Sequence, residues 1–120
     1  MDNVRQLIHC EAAYHMGLTG KGVGVAVLDT GMNLHRDLEH RLAAFTDMVR
    51  GKRQPYDDNG HGTHIAGIIG GTGVSSGGRY QGIAPGCHLI MIKVLDHRGN
   101  GFASDVLAGL KWIRDNRFRY

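Results

Sequence analysis

Two short runs of mostly apolar residues constrain the fold of this chain most. The first run is VGVAVL at residues 23–28 and the second is LIMIKVL at residues 89–95. Runs of this length, rich in Val and Ile, are typical of strands buried on both faces, and such strands occur in parallel sheets. The segment LAAFTDMV at residues 42–49 indicates a further strand.

Helical spacing of apolar residues occupies much of the sequence outside these strands. It is found at residues 4–16, 62–70 and 104–116, and Ser104 is a suitable N-cap for the last of them. Neither a linker nor an internal repeat divides the chain. Because strands and helices alternate, the sequence predicts an α/β fold, a parallel β-sheet flanked by helices.

Composition bounds the function classes. The 120 residues are 42% hydrophobic and 21% charged, which suits one small globular domain or part of a larger one. The longest apolar run falls far short of about 18 residues, so we expect no membrane span. The first 17 residues lack the pattern of a signal peptide, so we expect a cytoplasmic protein, although a fragment of a longer precursor also fits.

Charge and cysteine content give little support to nucleic-acid or metal binding. The net charge is +3, with the excess at Arg114, Arg117 and Arg119. Such a cluster favours a solvated helix end over a nucleic-acid patch, so no nucleic-acid partner is expected. Cys10 and Cys87 show neither metal-ligand spacing nor a disulfide framework, and whether they pair stays open.

Asp29 follows the first apolar run directly. A carboxylate there lies at the carboxyl end of a strand, which is the edge where open α/β sheets bind ligands. The alternative is an Asp that caps a turn through the backbone amides of Thr30 and Gly31. Position alone leaves both interpretations open.

His61 lies between two glycines at the start of a helix of small residues. A His in such an uncrowded position suits a general base whose ring is held by a carboxylate. The alternative is that His61 and His64, three residues apart on one helix face, are two ligands of a metal ion. No third ligand lies nearby in a known spacing, so no metal is predicted. We expect His64 to be buried and hydrogen-bonded.

Three segments carry a family resemblance: VAVLDTG, NGHGTHIAGIIG and GIAPGCHLIMIKVLD. They resemble the Asp motif, the His motif and the following strand of subtilisin-like serine proteases, in the same order and over nearly the whole chain. The resemblance implies a three-layer α/β fold, of which residues 1–120 form the N-terminal portion of the catalytic domain. It implies a serine endopeptidase for peptide or protein substrates, in which Asp29 orients the imidazole and His61 is the general base.

The same resemblance implies a substrate-binding segment. Gly99, Asn100 and Gly101 match the stretch that lies beside the substrate backbone in this family, and their glycines would admit a close peptide. Leu95, with Ala103 and Val106, matches the apolar subsite walls. Plain core packing is the alternative for these three side chains.

The chain departs from the family pattern at two places. The nucleophilic Ser motif and the oxyanion Asn are not found within residues 1–120, and Ser75, Ser76 and Ser104 lack that context, so we predict that the chain is inactive alone. Asp37 matches a calcium ligand of secreted relatives, but the loop at residues 70–78 has no carboxylate or Asn. We therefore expect no cofactor, and calcium is suggested by family analogy only. This loop and the missing signal peptide resemble the intracellular bacterial members of the family most.

Two alternatives stay open at the sequence level. Asp29-Thr30-Gly31 is also the signature of aspartic proteases, and a retroviral-type enzyme would pair Asp29 with its symmetry mate in a homodimer. That hypothesis requires a nearly all-β chain and leaves HGTH at residues 61–64 unexplained. The other alternative is a non-catalytic truncated fragment. The sequence does not indicate an oligomeric state.

Overall fold

One parallel sheet of three strands forms the centre of the molecule. The computed structural model describes residues 2–120 and gives β1 (Gly24–Asp29), β2 (Leu42–Asp47) and β3 (His88–Lys93). β3 lies between the other two and pairs with both in parallel. The predicted parallel sheet is therefore confirmed, and its most apolar strand is the central one.

Helices lie on both faces of this sheet. The chain forms α1 (Asp2–Leu7), α2 (Cys10–His15), α3 (His61–Gly70) and α4 (Ala103–Asn116). A short 3-10 turn, Val74–Ser76, interrupts the Gly/Ser loop after α3. The α/β fold class with flanking helices is thus confirmed.

The alternation of side chains along β3 builds a separate core on each face. Leu89 and Met91 join Val27 of β1 and Ala66 of α3 in one buried cluster. Ile90, Ile92 and Val94 form the other cluster, against which Val106, Trp112 and Ile113 of α4 pack. Because β3 is buried on both faces, its polar end at Lys93 is the exception that requires an explanation.

Two predicted helix features are wrong. The single helix expected at residues 4–16 is broken at His9, whose φ of 60° is left-handed. Leu7 and Ile8 at the break are 78% and 55% exposed, so the apolar spacing there has no core to hold a continuous helix. α4 begins at Ala103, and the residue in the N-cap position is Phe102, which makes no side-chain cap. Ser104 therefore lies inside the first turn.

The third strand is shorter at its C-terminal end than the apolar run at residues 89–95 predicts. β3 stops at Lys93, and the amides of Val94 and Leu95 both donate to the Asp29 carbonyl, at 3.0 and 3.2 Å. The chain thus leaves the hydrogen-bond ladder of the sheet beside the end of β1.

Cys10 and Cys87 are buried free thiols. Within residues 2–120, none of the helices has the length and apolar character needed to cross a membrane.

Candidate active site

Asp29 and His61 meet at the carboxyl edge of the sheet. Nδ1 of His61 lies 2.9 Å from Oδ1 of Asp29 and 3.1 Å from its Oδ2. The Thr30 amide also donates to Oδ1, at 2.7 Å, so the carboxylate caps its turn and holds the imidazole at once. The Asp29 side chain is 12% exposed and the His61 side chain 61%. The two predicted residues are brought together, and their catalytic role stays a prediction.

This geometry orients the imidazole for proton transfer. A carboxylate at Nδ1 favours the tautomer whose proton is on Nδ1, and the Nε2 lone pair is then available. Because the His61 ring is largely exposed, Nε2 can reach a group outside this chain. Chemically, the pair can accept a proton from a neighbouring hydroxyl and stabilise the resulting imidazolium.

Side chains from three places fix the start of α3, and so fix His61. The amide of His61 donates to Oδ1 of Asn59 at 3.0 Å. The next two amides donate to Oγ1 of Thr30 at 2.8 Å and to Oδ2 of Asp57 at 2.9 Å. Helix termini leave such amides without partners inside the helix, so these acceptors replace a conventional cap. Gly60, at the N-cap position, makes no side-chain cap.

Asp57 is the centre of this arrangement, and sequence reasoning assigned it no role. Its Oδ1 accepts from Thr30 Oγ1 at 2.9 Å and from the Asn59 and Gly60 amides, and its Oδ2 accepts from the amide and hydroxyl of Thr63. Burial by itself raises the pKa of this carboxyl, but the bonds from Thr63, Gly60 and Asn59 outweigh it and hold the pKa well below its usual range. An Asp at the head of a polar turn was the available signal.

The predicted substrate segment is an exposed turn. Asp96 closes it: its amide donates to the Asn100 carbonyl at 2.7 Å, and its Oδ1 accepts from the Asn100 amide at 3.0 Å. Gly99 has φ 79°, and a Cβ on Gly101 would press against the Val94 carbonyl. The turn itself therefore requires both glycines, which is a reason independent of a peptide. Substrate contact at Gly99, Asn100 and Gly101 stays a prediction.

The three apolar positions of this region separate into two kinds. Leu95 and Val106 are half-buried and pack against the cluster of Ile90, Ile92 and Val94. Ala103 is exposed. Core packing thus accounts for Leu95 and Val106, and the role of the three residues as subsite walls stays a prediction.

His64 is not buried, contrary to expectation. It is exposed and lines a groove of about 490 Å³ beside α3, together with His35 and Tyr80. The reason is helical phase, because Ile65, Ala66 and Ile69 face the sheet and turn His64 outward. Across the described residues 2–120, no group of three or more His, Cys, Asp or Glu side chains is placed to hold a metal ion.

Comparison with known proteins decides the family. A sequence model of the subtilase family matches residues 20–119. The chain belongs to the subtilase family. Serine protease AprX of Bacillus subtilis (strain 168) is 48% identical to this subtilase chain over 114 residues, which are 93% of the chain and 26% of AprX. Subtilisin Savinase of Lederbergia lenta is 44% identical over 109 residues, 91% of the chain and 39% of that protein.

A solved structure agrees with the subtilase fold. The crystal structure of a cold adapted subtilisin-like serine proteinase superposes with a TM-score of 0.71 at 36% identity, over 82% of this chain and 34% of that one. The chain thus spans between about a quarter and two fifths of the length of these three relatives. The aspartic-protease alternative is wrong, since the sheet is parallel and helix-flanked and Asp29 contacts a His.

Proposed function

We propose that this chain supplies the Asp and the His of a serine endopeptidase that hydrolyses peptide bonds in peptide or protein substrates. The contact of 2.9 Å between His61 Nδ1 and Asp29 Oδ1, in a chain of the subtilase family, carries the proposal. The nucleophile and the oxyanion donors belong to a part of the protein outside residues 1–120. By itself, the chain carries the general base and the carboxylate that orients it, but not the nucleophile.

In this mechanism each residue has one task. Nε2 of His61 accepts the proton of the serine hydroxyl as the oxygen attacks the scissile carbonyl, and then gives that proton to the leaving amine. Asp29 stays ionised, holds the ring through Nδ1 and stabilises the imidazolium. The turn at residues 99–101 borders the bound peptide on the acyl side, where its backbone is exposed.

A fluorophosphonate probe tests where the nucleophile resides. We expect no labelling of the 120-residue chain. Ser76 Oγ donates to the Gly73 carbonyl at 3.1 Å and accepts from the Tyr80 amide, and among residues 2–120 none of the three serine hydroxyls is hydrogen-bonded to a His side chain. Mass spectrometry after labelling would locate any modified Ser, and modification at Ser75, Ser76 or Ser104 would contradict the assignment.

A chimera tests the positive half of the proposal. In it, this chain replaces the matching segment of AprX, to which it is 48% identical. We expect the chimera to be labelled at its AprX serine and to cleave a peptide substrate, and we expect the His61→Ala variant of the chimera to be inactive. A folded chimera that is not labelled would overturn the proposed function.

We further propose that the calcium site of secreted relatives is absent here. Oδ1 of Asp37 accepts the Ser75 amide at 2.8 Å, and its backbone carbonyl accepts the Thr72 amide at 2.9 Å. Loop amides thus occupy Oδ1 and the backbone carbonyl of Asp37, and the loop at residues 70–78 adds no carboxylate or Asn, so this donor set does not fit a cation that prefers six to eight oxygens. We expect the melting temperature to stay within about 1 °C between millimolar calcium and a chelator, whereas a ligand-bound site would shift it by several degrees.

A further inference from the structure

Lys93 is a fully buried cation at the end of the central strand. Its relative exposure is 0%, and it is among the largest fully buried side chains of the described part of the chain. Its Nζ donates to the Thr30 carbonyl at 2.6 Å, to the Leu95 carbonyl at 2.7 Å and to Oδ1 of Asp58 at 2.8 Å. The three N–H bonds of the ammonium are therefore all used.

Fold stability alone is a poor explanation for this residue. Burial of an ammonium costs several kcal/mol, and apolar residues of similar volume often replace a buried ion pair without loss of stability. Apolar groups lie beside the side chain, since the centroid of the Tyr56 ring is 5.1 Å from Nζ and the four residues of β3 before Lys93 are apolar. A Met at this position could not form the hydrogen bonds by which Lys93 joins three separate segments of the chain.

Those three segments are the three parts of the site. Thr30 follows Asp29 directly, and its amide and hydroxyl hold the Asp29 carboxylate and the second amide of α3. Asp58 lies in the turn that enters α3 at His61. Leu95 begins the segment that leads to the exposed turn at residues 99–101, and its amide also bonds to the Asp29 carbonyl.

We propose that Lys93 is the positioning residue that holds the Asp29–His61 pair in register with the peptide-binding turn. The inference deepens the proposed function and rests on it. The ammonium ties Thr30, Asp58 and Leu95 to one point, so the carboxylate, the imidazole and the turn keep a fixed mutual placement. Lys suits this task because its compact ammonium can donate to three acceptors that lie in different directions. The planar guanidinium of Arg is better suited to binding one carboxylate through two parallel hydrogen bonds.

The test uses proton NMR of the full 120-residue chain, where a His Nδ1–H bonded to a carboxylate gives a far-downfield resonance. In the wild type we expect this resonance, assigned by its loss in His61→Gln. In Lys93→Met we expect it to disappear or broaden while the sheet amide pattern and a cooperative melt persist. Lys111→Met, which removes an exposed lysine of α4, is the matched control and should leave the resonance unchanged.

A second variant covers the case in which Lys93→Met does not fold. Asp58→Asn keeps both carbonyl bonds of Lys93 and removes only the charged acceptor, whose side chain is 31% exposed. We expect broadening of the His61 resonance and shifted amides at residues 99–101, with little change in melting temperature. An unchanged resonance and unchanged amides in the folded variants would overturn the positioning role alone. A wild type that lacks the resonance would overturn the Asp29–His61 pairing itself, and both proposals with it.

Discussion

In the AprX chimera, Asp29→Asn is expected to lower kcat by about four orders of magnitude, the loss seen when a triad Asp is replaced without change in geometry. The Asn amide can fill the same space, but it presents a donor to Nδ1 of His61, which lies 2.9 Å from the present carboxylate oxygen. The ring then adopts the wrong tautomer, and its Nε2 carries a proton when it must accept one. Initial rates on a peptide substrate measure the effect.

The matched control for this experiment is Asp115→Asn. Asp115 is 63% exposed on α4 and pairs with its neighbour Arg114. We expect it to leave kcat within a factor of two. A kcat for Asp29→Asn within tenfold of the unmodified chimera, at an equal melting temperature, would show that Asp29 has no part in the proton transfer.

Asp57→Ala is expected to destabilise the chain by about 3–5 kcal/mol, the range for breaking a buried charged network. The change removes the acceptor for the Thr30 and Thr63 hydroxyls and for the amides of Asn59, Gly60 and Thr63. The Thr30 hydroxyl then loses an acceptor in a buried place and the other donors lose theirs in part-buried ones, and an unsatisfied buried donor costs more than the bond it lost. Urea unfolding followed by circular dichroism measures the difference, with Asp115→Asn again as the control.

The same carboxylate predicts a dependence on pH. Because the folded-state pKa of Asp57 is depressed, its contribution is present above the unfolded pKa of about 4 and is lost as the pH falls through the lower folded value. The unfolding free energy of the wild type should therefore fall more steeply below about pH 4 than that of Asp57→Ala. Parallel curves for the two proteins would mean that the network does not stabilise the ionised form.

Sequence reasoning was sufficient where side-chain type and strand pattern act together. The apolar runs predicted the parallel sheet. Position alone left the role of Asp29 open, and it was the family resemblance that implied a pair with His61, which the structure places 2.9 Å away. The expected cytoplasmic location and the domain boundary at residues 1–120 stay predictions. So does the interpretation of the chain as a non-catalytic fragment when alone.

The rest depended on long-range contacts that no local pattern specifies. In the sequence, Lys93 is a single charged residue within an apolar run. Its burial is explained only by the hydrogen bonds that its ammonium donates to three separate segments of the chain. Asp57 acts through residues on both sides of it, including Thr30, 27 positions earlier. The helix breaks at His9 because no core packs against the apolar residues there, and His64 points outward because other side chains of α3 face the sheet. The spacing of apolar residues alone does not show which helix face packs against a core.

Among the described residues, β1 is an outer strand of the sheet, with β3 on one side. Val23 and Asp29 direct their carbonyls to β3, so by alternation the backbone groups of Gly24, Ala26 and Leu28 point the other way. Amides there should exchange hydrogen with solvent far faster than those of β3. Asp29 therefore ends a strand whose outer flank has no partner strand among the described residues, and any segment that pairs along that flank would slow the exchange and stiffen the support of the carboxylate.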